Sequence, residues 1–311
     1  MTLSTLVLAL LAASVAVGLS LLMGYAGQVS LGQASFYMIG GYTAALMATN
    51  SLPTWLGLLA APAAAAVAAA LLGVPLLRLR GHQLAFATLA VQLILLNLAG
   101  QQSWTGGDIG LQAIPQLTVA GYEFSGDVPY ACLALVTLIV VALVSRNIIA
   151  SRPGRGLRAL ATSEVAASSS GVPVAAYKLA VFSLSAAFAG LAGGIYAFYI
   201  GYVSPTSFPV LLSIEYVVMV VVGGTGSIWG ATAGAVAITV LLQVLNDLGA
   251  REGMPATAPT VLSYGLFGTL LMAMMLFAPR GLVPTTVALW RRRTNQAAPP
   301  TPKPAQIPTE T

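Results

Sequence analysis

Apolar runs alternate with short polar or glycine-rich segments along most of the chain. An α-helix needs about 20 consecutive apolar residues to cross the hydrocarbon core of a bilayer. The pattern therefore predicts an all-α, polytopic helical membrane protein with about eight to ten transmembrane segments. The candidate spans are Leu3–Met23, Gln33–Thr49, Leu52–Leu77, Gln83–Gly100, Val128–Val144, Leu179–Gly201, Ser213–Val222, Ala231–Leu245 and Thr260–Ala278.

Two of these runs, Ser213–Val222 and Ala231–Leu245, are too short for ordinary straight spans. Between them lies a glycine cluster formed by Gly223, Gly224, Gly226 and Gly230. A similar cluster near the N-terminus is formed by Gly24, Gly27 and Gly32. Glycine clusters between apolar segments in two halves of a transporter mark broken or re-entrant helices around a central pathway. Chance similarity is the alternative, because the spacing in the two clusters differs by one residue.

Charged residues make up only 7% of the 311 residues, and the mean hydropathy is +0.88. So few charges cannot cover the surface of a soluble protein of this size. The chain has one cysteine and one histidine, too few for a disulfide or a Cys/His metal site. The sequence also lacks a phosphate-binding glycine loop with lysine and any nucleophile–base motif. We therefore predict no catalytic residue, metal or cofactor in this chain.

The basic residues are distributed unevenly between the loops. If the spans alternate in direction, every lysine and arginine except Arg251 falls on one face of the membrane. Basic residues in short loops mark the cytoplasmic side, so we assign that face to the cytoplasm. The N-terminus then lies outside if Leu3–Thr49 crosses the membrane twice. The opposite face carries the acidic residues Asp108, Glu123, Asp127, Asp247 and Glu252. The net positive charge thus reflects membrane topology and does not indicate nucleic-acid binding.

This topology predicts one transmembrane domain over residues 1–290. Its longest external loop covers residues 101–129, and its main cytoplasmic loop covers residues 146–177. The segment 291–311 begins with Arg291, Arg292 and Arg293 and continues as a run rich in proline, threonine and alanine. Such a composition cannot bury enough apolar surface to fold, so we predict a disordered cytoplasmic tail beside the lipid headgroups.

Four polar side chains follow the first apolar run at membrane depth: Gln28, Ser30, Gln33 and Ser35. Non-helical backbone is tolerated at that depth only where it is buried in protein or faces water. The segment Gly24–Gly41, which includes Gly27, is therefore a lining of the translocation pathway, a packing surface of small residues, or both. The sequence leaves both interpretations open.

Glu215 is the one acidic residue inside a predicted apolar segment. An intramembrane carboxylate indicates a functional site by default, although a position near the external end also fits a structural hydrogen-bonding role. The spans offer no further Asp, Glu or Lys to form a proton relay, which argues against proton-coupled secondary transport. We therefore group Glu215 with Gly27, Gln28, Ser30 and Gln33 as candidate pathway residues. The glycines Gly223, Gly224 and Gly226 complete that group.

The cytoplasmic loop is an island of charge in an apolar chain. On a helical wheel of about 100° per residue, one side holds Leu157, Leu160, Ala161, Glu164 and Ser168. Arg155, Arg158 and Thr162 fall on another side. Glu164 has no basic residue three or four positions away, so it gains no ion pair within the helix. An unpaired acid on the contact face fits docking into another protein, and a lipid-surface helix with its arginines at the headgroups is the alternative.

The loop also resembles a known element. Residues 154–171 read Gly-Arg-x-x-Arg-Ala-x-x-x-x-Glu-x-Ala-Ala-x-x-x-Gly, which resembles the cytoplasmic "EAA" loop of ABC importer permeases in the variant of the branched-chain amino acid permeases. Similar blocks follow the family's order at residues 24–33, 177–194, 213–215 and 222–227. The resemblance implies that the ATPase is contacted through Gly154, Arg155, Arg158, Glu164, Ala166, Ala167 and Gly171.

The resemblance further implies a bacterial inner-membrane permease with several partners. These are a second related permease subunit, two cytoplasmic ATPases that carry ATP and Mg²⁺, and an extracytoplasmic solute-binding protein. ATP-driven closure of the ATPases would switch the pathway between outward-facing and inward-facing states, importing branched-chain or other hydrophobic amino acids. The alternatives are an ABC permease for urea, short amides or another small solute, and an ATPase-independent secondary transporter or channel. Family members carry more charge before Glu164 than this chain does.

Overall fold

A computed structural model of the protein describes residues 3–79, 81–119 and 121–249, together with residues 265, 268, 269 and 272. Long helices make up most of the described chain. They are α1 (Leu3–Tyr25), α2 (Gln33–Thr49), α3 (Thr54–Leu76), α4 (His82–Gln101), α5 (Asp127–Ala150), α6 (Arg152–Thr162), α7 (Glu164–Ser169), α8 (Val174–Ile200), α9 (Val210–Gly223) and α10 (Ile228–Gly249).

Seven segments of the described chain are helical, long and apolar enough to span a membrane, which confirms the predicted class. They are α1, α3, α4, α5, α8, α10 and the segment Pro205–Gly223, which contains α9. The predicted span Gln33–Thr49 is α2, a helix of 17 residues. The predicted span Thr260–Ala278, apart from four single residues, and the tail 291–311 lie outside the described residues.

The prediction that Ala231–Leu245 is too short for an ordinary span is wrong. Helix α10 has 22 residues, because Ile228, Trp229 and Gly230 before that run, and the residues after it, continue the helical backbone. Helix α9 is short, as predicted, with 14 residues. A 3₁₀ turn at Pro205–Ser207 precedes it.

The core of the protein is built around α1 and α8. Most of α1 is buried, and it packs against α5, α8, α9 and α10. Helix α8 packs against both α2 and α3 through small residues. A Cβ atom at Gly193 would overlap the carbonyl oxygen of Tyr37, and one at Gly40 would overlap the backbone of Gly190. Such contacts are typical of membrane helices, where small residues let backbones approach closely.

The predicted external loop 101–129 has local structure of its own. It contains a 3₁₀ turn at Ser103–Thr105 and a small antiparallel pair of strands, β1 (Thr118–Val119) and β2 (Tyr122–Glu123). Leu111 and Val203 exchange two backbone hydrogen bonds with N–O distances of 2.8 and 3.0 Å. These bonds attach the loop to the segment that follows α8.

The two glycine clusters interrupt the helices where the sequence predicted. Residues 26–32 connect α1 to α2, and residues 224–227 connect α9 to α10. The two connections touch: a Cβ atom at Gly24 would overlap Cα of Gly226. In addition, the backbone N–H of Gly226 donates to Ser20 Oγ at 3.1 Å. The two interruptions therefore form one structural element.

Candidate functional site

The cytoplasmic insert consists of two short helices. Helices α6 and α7 are separated at Ser163, whose backbone is extended (φ −161°, ψ 120°). The Ser163 hydroxyl accepts a hydrogen bond from the backbone N–H of Ala166 at 3.3 Å and so caps the start of α7. Because the helix is broken at this residue, a single helical wheel does not describe the whole insert.

The apolar side of α6 faces inward. Leu157 and Leu160 are both buried in the main core of the protein. Ala161 and Ser168, which the wheel placed on the same side, are exposed. The prediction that this side forms one contact face for another protein is therefore wrong. Burial of the two leucines stabilises the insert against the membrane helices.

Glu164 pairs with Lys178 of α8, and this is the one salt bridge within the described residues. The side chain of Lys178 is only 9% exposed, whereas that of Glu164 is 42% exposed. The prediction that Glu164 is unpaired is therefore wrong. Its partner lies 14 positions away, beyond the range of intrahelical pairs. Glu164 also lies in the first turn of α7, where a negatively charged carboxylate interacts favourably with the helix dipole.

Three further insert residues maintain its connection to the neighbouring segments. A Cβ atom at Gly154 would overlap the carbonyl oxygens of Ile148 and Ile149, so the corner between α5 and α6 requires glycine. Arg158 Nη2 donates to Ile149 O at 2.8 Å and thus satisfies a carbonyl at the end of α5. Gly171 follows α7 with a φ of +79°, a conformation that glycine adopts readily.

The outer surface of the insert carries the remaining candidates. Arg155 and Ala166 are exposed, whereas Ala167 is buried. Sequence reasoning missed Val165, which is 77% exposed despite its apolar side chain. The sequence did place this apolar residue next to Glu164 in the charged loop, and that position could have identified it as a contact residue. An exposed apolar residue among small polar ones is chemically suited to contact a protein surface.

The connection between α1 and α2 is held by polar side chains of other helices. Gln33 Nε2 donates to Ser185 Oγ at 2.9 Å, and the N–H of Leu31 donates to Thr88 Oγ1 at 2.9 Å. The N–H of Ala34 donates to Ser213 Oγ at 2.8 Å, which satisfies a free donor at the start of α2. Ser213 in turn donates to Gln92 Oε1 at 2.6 Å. Gln33 therefore takes part in packing in this conformation.

The other candidates in the glycine clusters differ in how closely protein surrounds them. Gln28 and Ser30 are buried at 3% and 0% exposure, and Gln28 Oε1 makes no hydrogen bond within the described residues. Gly27 is exposed in the same connection. At the second cluster, a Cβ atom at Gly223 would overlap Gly230 O. Gly224 and Gly226 form the tight turn that follows.

Glu215 lies apart from these loops, in a cavity of about 250 Å³. The cavity contains three tyrosines, Tyr37, Tyr196 and Tyr216, together with polar residues from α10 and leucines from α1, α9 and α10. The rings of Tyr37 and Tyr196 are 5.5 Å apart, and those of Tyr37 and Tyr216 are 6.1 Å apart. The structure thus separates the predicted pathway residues into two groups: the two touching glycine connections, with Gln33 at the start of α2, and Glu215 in its cavity.

Comparison with known proteins identifies relatives along nearly the whole length. The family described as "Branched-chain amino acid transport system / permease component" matches residues 1–276. The high-affinity branched-chain amino acid transport system permease protein LivM of Salmonella typhimurium is 33% identical, over 90% of this chain and 69% of that protein. LivM of Escherichia coli is 34% identical over 86% of this chain and 67% of that protein. A probable LivM of Methanocaldococcus jannaschii is 26% identical over 70% of this chain and 64% of that protein.

Proposed function

Because the chain belongs to the family of branched-chain amino acid transport permeases, we propose that it is a membrane-spanning subunit of an ATP-driven importer for branched-chain amino acids. The chain is a transport component of the bacterial inner membrane and not an enzyme. ATP and Mg²⁺ bind to partner ATPases. Substrate then crosses the membrane by alternation between outward-facing and inward-facing states, which the nucleotide favours to different extents.

The observation that carries this proposal is the two-helix insert between α5 and α8. Its inner side is anchored through Leu157 and Leu160, and its outer side presents Arg155, Val165 and Ala166. A partner that displaces this surface moves α5 and α8 with it, because the insert is attached to both. The insert therefore has the properties that ATPase coupling requires: an accessible surface and a firm connection to the membrane helices.

The complete importer contains further subunits. We propose one second, related permease, two ATPases on the cytoplasmic side, and a solute-binding protein on the external side. The relatives named LivM support branched-chain amino acids as substrate over urea or short amides. An ATPase-independent transporter remains the alternative that the following experiment addresses.

Uptake by the reconstituted complex tests this proposal. We expect leucine uptake into proteoliposomes to require the binding protein on the external side of the membrane. It should also require ATP on the side that carries the ATPases. A nonhydrolysable ATP analogue is the control for nucleotide binding alone. Unlabelled isoleucine should compete with leucine, whereas urea should not. Uptake that persists without ATP, or that urea abolishes, would contradict the proposed function.

We also propose that the connection between α1 and α2 lines the pathway in another state of the transport cycle. Gln28 and Ser30 are buried here, yet Gln28 Oε1 lacks a hydrogen-bond partner among the described residues. A buried polar atom without a partner costs about 1–3 kcal/mol. A state in which water reaches this oxygen would supply the missing hydrogen bond.

Cysteine accessibility tests this assignment. In a Cys132→Ser background, Gln28→Cys and Ser30→Cys should react with a membrane-impermeant thiol reagent in one nucleotide state and remain protected in the other. Ser125→Cys, an exposed position in the external loop, is the matched control and should react equally in both states when the reagent is added outside. If Gln28→Cys and Ser30→Cys are equally protected in all nucleotide states, the connection between α1 and α2 has a purely structural role.

A further inference from the structure

The cavity beside Glu215 lies at the end of the molecule opposite the cytoplasmic insert. Tyr196, one of its lining residues, is about 33 Å along the axis of α8 from Val174, by the rise of about 1.5 Å per residue. Ser207, which follows the backbone attachment between Val203 and the external loop, also lines the cavity. The cavity therefore lies toward the face that the charge pattern assigns to the exterior.

The charge in this cavity is unbalanced. Glu215 is the one acidic or basic side chain among the lining residues, all of which are described. Within the described part of the chain, its carboxylate makes no ion pair and no hydrogen bond. An ionised carboxylate withdrawn from bulk water is costly unless a cation or hydrogen-bond donors compensate it. The cavity can therefore bind a positively charged group.

The aromatic rings around Glu215 point to the same ligand chemistry. Tyr37, Tyr196 and Tyr216 line the cavity, and the rings of Tyr196 and Tyr216 each pack against that of Tyr37. The faces of such rings attract ammonium groups through their negative quadrupole. A carboxylate together with three tyrosines favours an organic ammonium over a neutral or anionic group.

The remaining walls divide into a polar and an apolar part. Thr239, Gln243 and Asn246 of α10 supply polar groups, and Leu8, Leu212 and Leu242 supply aliphatic surface. Ligand sites of this kind bury the apolar body of a ligand and orient it with a few polar groups. An amino acid with an aliphatic side chain has this division of polarity.

We propose that this cavity is a substrate site in which Glu215 binds the ammonium group of an aliphatic amino acid. The inference rests on the proposed function, since it takes the amino acid to be the transported substrate. The site would accept the substrate near the external face, before the pathway opens toward the cytoplasm. Glu215 would then select for the presence of an amine, and the leucines for an aliphatic side chain.

Ligand-dependent thermal stability of the purified complex, measured without the binding protein, tests the site directly. A ligand that binds only the folded state raises the unfolding temperature, and at a given ligand concentration the rise increases with the logarithm of the affinity. We expect leucine and leucinamide to stabilise the complex, and 4-methylpentanoate, which lacks the amine, to have no effect. Glu215→Gln should weaken the apparent leucine affinity about tenfold or more, the scale of one charge-assisted hydrogen bond.

Two further variants separate binding from folding. Glu215→Asp keeps the carboxylate and should retain part of the response to leucine. Asp127→Asn removes an exposed carboxylate that accepts a hydrogen bond from Tyr199 outside the cavity, and it should leave the response unchanged. The proposal is overturned if Glu215→Gln keeps the full response, if 4-methylpentanoate stabilises as well as leucinamide, or if leucine has no effect on the unmodified complex. Absence of ATP-driven uptake in the unmodified complex would instead reject the proposed function.

Discussion

Glu164→Lys is expected to abolish ATP-dependent uptake while the chain still inserts into the membrane. The substitution places a second ammonium against Lys178, whose side chain is only 9% exposed. Removing the partner of a buried charge costs about 3–5 kcal/mol in fully buried pairs, and the partial exposure of Glu164 lowers this value here. The effect should remain local to the insert, because Leu157 and Leu160 still hold α6 in the core.

The measurement is leucine uptake by proteoliposomes that contain equal amounts of assembled complex. Glu164→Gln, which removes the charge without reversing it, should reduce uptake less than Glu164→Lys. The double exchange Glu164→Lys with Lys178→Glu should recover part of the activity, because it restores opposite charges at the same contact. Normal uptake by Glu164→Lys alone would show that the pair does not transmit the movement of the ATPase.

Gly193→Ala is expected to prevent stable folding of the membrane domain. The new Cβ atom would overlap the carbonyl oxygen of Tyr37, which belongs to the backbone of α2 and has no rotamer that could relieve the clash. Overpacking of a close-packed interior costs about 1–3 kcal/mol. Because α8 also packs against α3 through the same segment, moving α8 away from α2 would disturb a second interface.

The unfolding temperature in detergent, followed by tryptophan fluorescence, is the appropriate measurement. Gly268→Ala is the matched control, since a Cβ atom there would meet nothing within 4 Å. In that control, alanine should be neutral or slightly stabilising, as helix propensity favours it over glycine by about 1 kcal/mol. An unchanged unfolding temperature for Gly193→Ala would mean that α2 and α8 do not pack as described.

The sequence was sufficient to predict most of the helices and the insert. The spans follow from long apolar runs, and the bounds of α2 agree with the prediction because glycine precedes it and Asn50 follows it. The two helix interruptions were also predicted, because clustered glycines are a local signal. In each of these cases, the information that determines the structure lies within a short stretch of chain.

The side-chain contacts could not be predicted in the same way. Glu164 and Lys178 belong to different helices, so a rule based on spacing within one helix could not find the pair. Gln92 and Ser213 are separated by 121 positions, so no local pattern connects them. The tyrosines around Glu215 come from three helices, and only tertiary packing brings them together. Long-range pairing of this kind has no periodic signal in a single sequence.

The conformation of Ser163 explains why the helical-wheel prediction for the insert was wrong. The four residues before Glu164 carry no charge here, and Leu160 among them is buried. Ser163 adopts an extended conformation and caps α7, which rotates Glu164 toward α8 and leaves Val165 facing outward. The departure from the charged family pattern at this point therefore coincides with a helix break that the sequence alone did not reveal.

The glycine contacts of α8 restrict which parts of the protein can move. Direct backbone contact at Gly190 and Gly193 allows little sliding, so α2, α3 and α8 should behave as one rigid body. The turn at residues 224–227 touches this body's neighbour α1 at Ser20 and Gly24, and its glycines can absorb large changes in backbone angle. A displacement at the insert would then tilt the rigid body as a unit. Helix α9, which carries Glu215, would pivot about the 224–227 turn. One end of the protein would open as the other closes.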